Sequence, residues 1–105
     1  MMGDSANRLR AQVVDRVVRG AGETTVAERT AAFDNQGVGG AARALVDKVA
    51  RNAWKVTAED VAATTAAGKS EDQVFELVIS AALGQATRQL DAALAALDEA
   101  TQEAP

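Results

Sequence analysis

The sequence predicts an all-α domain, and three observations carry that prediction. Alanine, the strongest helix former, supplies 25 of the 105 residues. The one Pro stands at the last position, so no helix breaker interrupts the chain. Apolar residues recur at three- and four-residue spacings, and no segment alternates in the manner of a half-buried strand. A chain of 105 residues has room for one domain, taken as residues 1–105.

Five helices are expected in order. The first spans residues 5–19, with Ser5 as N-cap and Leu9, Val13, Val14, Val17 and Val18 on one face. Arg8, Arg10, Arg16 and Arg19 take the rest of its circumference, and Gly20-Ala21-Gly22 ends it. Thr25-Val26-Ala27-Glu28 fits a capping box and opens a short second helix to about Phe33. Gly37-Val38-Gly39-Gly40 reads as a linker, because a phosphate loop would need a following Lys-Ser or Lys-Thr.

The third helix runs from about Ala41 to Trp54, with Ala42, Leu45, Val46, Val49 and Ala53 on its apolar stripe. Trp54 closes that stripe and reads as a core anchor at a helix junction. Thr57 caps a fourth helix that stops at Gly68, with Glu59 and Asp60 in its first turn, where the helix dipole favours acids. Ser70-Glu71-Asp72-Gln73 is a further capping box and opens the longest helix, about residues 71–98. Ala81 and Gly84, beside Ser80, form a small-residue notch for a close helix crossing. Arg88, one turn on, can pair with Asp91. The acidic tail (Asp98, Glu99, Glu103) is expected to fray.

Composition bounds the function. The chain has no Cys and no His, which excludes disulfides, thiol chemistry, Cys/His metal sites and imidazole bases. Eleven basic against fifteen acidic residues give a net charge of −4, the wrong sign for a nucleic-acid footprint. No apolar run is long enough to span a bilayer and residues 1–10 do not resemble a signal peptide, so a cytoplasmic protein without membrane attachment is expected. Leu, Ile, Val and Phe number 22, fewer than the alanines, which makes for a thin core. A homo-oligomer that completes this core is the expected state, with Ala81, Gly84 and Arg88 as candidate interface residues.

From about residue 40 to 98 the order of features is similar to a known superfamily. Val49-Ala50-Arg51-Asn52-Ala53-Trp54-Lys55-Val56-Thr57 leads into Glu59-Asp60-Val61 and Ala66-Ala67-Gly68. Ser70-Glu71-Asp72-Gln73-Val74-Phe75-Glu76-Leu77 then feeds an Ala-rich helix carrying Gly84 and Arg88-Gln89-Leu90-Asp91. This resembles the AhpD-like superfamily, the alkylhydroperoxidase-D-like and carboxymuconolactone-decarboxylase-like proteins. The resemblance implies an all-helical domain of symmetric oligomers, often trimers or hexamers. It also implies a Cys-x-x-Cys-x-x-x-His motif in the redox members. Counted back from Gly68, those positions fall at Ala53, Val56 and Asp60, so the motif is broken throughout. Peroxide reduction needs a thiolate and a partner thiol, and the inherited chemistry is excluded.

Carboxylates remain as acid/base groups, with Asp60 and Glu76 as the catalytic candidates and no metal or cofactor expected. Two functions stand side by side. One is a non-catalytic AhpD-like oligomer, a scaffold or small-ligand binder whose pocket lies around Trp54, Val56 and Phe75. The alternative is a carboxylate-dependent decarboxylase- or isomerase-like enzyme acting on a small organic substrate. A third reading is an accessory subunit docking through the length of the 71–98 helix.

Overall fold

Local signals set the helix boundaries. The computed structural model describes the backbone of residues 2–103 and the side chains of residues 5–102, and all regular structure among them is helical. The helices are α1 (Met2–Arg19), α2 (Val26–Asp34), α3 (Ala42–Asn52), α4 (Ala58–Ala66) and α5 (Glu71–Glu103), with a 3₁₀ turn at Ala53–Lys55. Thr25 accepts from the Glu28 amide while Glu28 accepts from the Thr25 amide. Thr57 and Asp60 make the same reciprocal pair, as do Ser70 and Gln73. Each box satisfies amides that a helix start leaves unpaired.

Three helix boundaries differ from the sequence expectation. Helix α1 begins at Met2, so Ser5 lies inside it and does not cap it. Helix α3 stops at Asn52, whose backbone (φ −148°, ψ 57°) leaves the helical region, and the chain turns before Trp54. Helix α5 continues through the acidic tail to Glu103, 33 residues in all. At 1.5 Å per residue it is about 50 Å long, which accounts for the extents of 58 × 28 × 21 Å.

The core is small and sits where α2 and α3 cross the N-terminal half of α5. Ala32, Ala42, Leu45, Val46, Val49, Val74, Leu77 and Ala81 form one buried cluster, with Val38, Val56, Val61 and Val78 packed against it. Helix α2 crosses α5 at Gly84, where a Cβ would collide with the Phe33 carbonyl. Arg88 Nη1 then donates to that same carbonyl at 2.7 Å. Ala81 and Gly84 therefore serve a crossing within the chain, and Arg88 binds Phe33 rather than Asp91. Asp91 instead takes Arg10 of α1 at 2.7 Å.

Helix α1 runs antiparallel to α5. Its C-terminal loop meets α5 at Glu76, and its N-terminal half meets α5 at Asp91. Beyond the core the two helices continue as a two-helix arm, on which Leu9, Val13, Leu90, Leu94 and Leu97 stay largely exposed.

Candidate functional site

The two catalytic candidates are both held by neighbouring donors. Asp60 is the N3 residue of α4, placed there by the Thr57 capping box. Its Oδ2 accepts from the Thr57 amide at 2.9 Å, and Lys48 of α3 donates to both carboxylate oxygens at 3.0 and 2.9 Å. The Thr57 amide, then the Lys48 ammonium, hold its pKa below the ordinary aspartate value. An ionised, hydrogen-bonded acid of this kind joins α3 to α4 and is poorly suited to pick up a proton at neutral pH.

Glu76 lies on α5 beneath the α1–α2 loop. Its Oε2 accepts from the Glu23 amide at 2.7 Å, and its Oε1 from the Thr24 amide and hydroxyl at 2.9 and 2.6 Å. The guanidinium of Arg29, buried under the loop, approaches Oε1 at 4.0 Å. Burial pushes the Glu76 carboxyl up, but the Thr24 and Glu23 donors and Arg29 outweigh it, so the net shift is downward. Gly22 makes the approach possible, since a Cβ there would lie 2.6 Å from Glu76 Oε1. Arg29 also donates to the carbonyls of Val17 and Thr24. The cluster is a clasp that fixes α1 and its loop onto α5. The sequence holds no signal for it, because the Glu23 and Thr24 donors lie more than fifty positions from Glu76.

The three candidate pocket residues do not converge. Trp54 is 80% exposed on the 3₁₀ turn, with the Lys55 ammonium 4.9 Å above its ring, so it is not a core anchor. Val56 is half-buried against the core. Phe75, 65% exposed, lines an open groove of about 620 Å³ between α4 and the start of α5. Its walls are Ala58, Val61, Ala62, Thr65, Val74, Phe75 and Val78, with Glu71 and Asp72 at one rim. The volume is that of a small-molecule site, and the lining is mostly apolar with a few polar groups. Sequence reasoning missed Val61, Ala62 and Thr65. Their three- and four-residue spacing on α4 was the available signal.

Among the described residues no cluster of three carboxylates gathers that could hold a metal ion, and no helix is long and apolar enough to cross a membrane. Compared with known proteins, the chain matches no protein-family profile, no curated protein and no solved structure.

Proposed function

We propose that this chain is a non-catalytic protein of the AhpD-like plan, which self-associates and binds a small, largely apolar ligand between α4 and α5. The α4/α5 groove is the observation that carries the reading: an apolar trough of ligand size with Phe75 exposed along it. The state of the two acids supports the non-catalytic part. Asp60 and Glu76 are both committed to structural hydrogen bonds and both have lowered pKa values. The thin core and the exposed leucines of the arm support self-association.

The test is native mass spectrometry of the protein purified from its own cells, beside an Ala62→Glu variant. Ala62 is exposed on the groove wall, so a carboxylate there charges the trough without disturbing the core. The wild type is expected to carry a stoichiometric small-molecule mass that the variant loses while keeping its subunit count. A bare wild type, or equal retention by both proteins, overturns the ligand assignment.

A further inference from the structure

The outer face of α5 bears an apolar stripe that nothing in the chain covers. Phe75, Ile79, Ala82, Ala86, Leu90, Ala93 and Leu97 follow one another at steps of four, three, four, four, three and four residues. On a helix this spacing keeps them on one side, and all seven are exposed. The stripe contains no charged residue and runs about 33 Å along the helix. It lies away from the side where Ala81 and Gly84 receive α2. The three charged residues within the length of the stripe are occupied within the chain, Glu76 by the Glu23 and Thr24 donors, Arg88 by the Phe33 carbonyl and Asp91 by Arg10.

The positions along the stripe are symmetric about one residue, and the side-chain sizes at the two inner pairs of mirrored positions are complementary, large against small. Residues 75 and 97, 79 and 93, and 82 and 90 are each symmetric about residue 86. If a second α5 is laid antiparallel across a twofold axis at Ala86, Ile79 meets the partner's Ala93 and Leu90 meets the partner's Ala82. Phe75 meets the partner's Leu97 at either end, and Ala86 meets its own copy on the axis. Large faces small through the middle, where alanine lets two helices close to about 8 Å. An isologous contact requires this self-complementarity. An unrelated partner would not.

We infer that α5 is the twofold interface of a homodimer, pairing antiparallel with the α5 of a second copy in the register centred on Ala86. This rests on the self-association proposed above and specifies its surface. Helical phase places Leu9 and Val13 of α1 on the same side of the arm, flanking the stripe, because the two helices are antiparallel. A face about 33 Å long and roughly two helix diameters wide gives ~650 Å² per chain, or ~1,300 Å² per pair, within the range of stable specific interfaces. Each arm then completes the other as half of a four-helix arrangement. A twofold contact of this kind occurs in dimers and in hexamers built from three dimers, and not in a bare trimer.

The absence of cysteine from the sequence makes the register directly readable. In the full-length protein, Ala86→Cys places two thiols together on the axis, while Ala93→Cys places them about 21 Å apart along the helices. Mild oxidation is expected to give a covalent dimer from Ala86→Cys and none from Ala93→Cys. Ala86→Glu, at an exposed site, is expected to keep its helical circular dichroism and to sediment as half the wild-type mass. A wild type that is monomeric or trimeric overturns both the register and the dimer. A wild type of even subunit number, unchanged in mass by Ala86→Glu or crosslinking equally at both cysteines, overturns the register while leaving self-association standing. A one-to-one complex with a different protein, formed in place of the homodimer, likewise overturns the inference.

Discussion

One carboxylate oxygen of Glu76 accepts both the backbone amide and the side-chain hydroxyl of Thr24, at 2.9 and 2.6 Å, across 52 positions of sequence. With the Glu23 amide on its other oxygen, Glu76 holds the α1–α2 loop by three donors. Glu76→Gln would turn an NH₂ group toward one of these donor sets and leave donors unpaired beneath the loop. The expected cost is about 1–3 kcal/mol, read as a lower urea midpoint. Amide exchange should accelerate in α1 and the loop more than in α3. An unchanged midpoint would show that the clasp contributes no net stability.

Gly84 offers a test of opposite sign to ordinary helix propensity. In a solvent-facing helix, Gly→Ala gains about 1 kcal/mol. Here the added methyl group would meet the Phe33 carbonyl, which is backbone and cannot swing aside. Gly84→Ala is expected to lose roughly 2 kcal/mol or more as α2 is forced off α5. A stabilised variant in a denaturant titration would mean that the two helices are not in close contact at this point.

Acid should destabilise the protein through specific carboxylates. The Lys69 ammonium, 2.6 Å from Glu28, and the Thr25 amide hold the Glu28 pKa down at about 2, against 4.5 for the ordinary side chain. Glu76 is shifted in the same direction. The unfolded chain therefore takes up these protons first. The stability Glu28 contributes is fully present above pH 4.5 and is lost progressively as pH falls towards about 2, and Glu76 adds to the loss in the same direction. Urea midpoints at pH 7, 5, 4 and 3 should decline only over the last intervals, and Lys69→Met should flatten that decline. The same slope in the variant would separate the acid response from the Glu28–Lys69 pair.

Trp54 is expected to report solvent and little else. At 80% exposure, its fluorescence should resemble that of free indole and be quenched readily by acrylamide. Trp54→Ala should change stability by no more than about 0.5 kcal/mol. A blue-shifted, protected emission would place the ring in a contact between copies.

How far the fold could be read from the sequence depended on the distance between partners. The Thr25 and Ser70 boxes were legible because each is completed three residues away by a side chain of fixed reach; Thr57 was read as a cap, but its reciprocal partner Asp60 was read only as a first-turn acid. Trp54 was misplaced for a related reason. The apolar period of α3 continues through Ala53, but the backbone turn at Asn52 ends the helix first and sends the indole outward. Arg88 took the Phe33 carbonyl in preference to the nearby Asp91, and Glu76 took the loop amides. Both choices are made by helix crossings that local periodicity does not encode. Of the three residues expected to share a pocket, Phe75 lines the α4/α5 groove and Trp54 and Val56 do not. The groove's opposite wall on α4 emerges only when the two helices are brought together.

The antiparallel placement of α1 against the far half of α5 sets the order in which the chain can assemble during synthesis. The residues that receive α1 and its loop, Glu76 and Asp91, are made some fifty to eighty positions after the segments they bind. At about 5–20 residues per second, Arg10 of α1 waits on the order of several seconds for Asp91 to be made. The cluster of α2, α3 and the start of α5, with the C-terminal end of α1 held by Arg29 and Glu76, can close first, so the half of α1 that binds Asp91 is the last part to find its place.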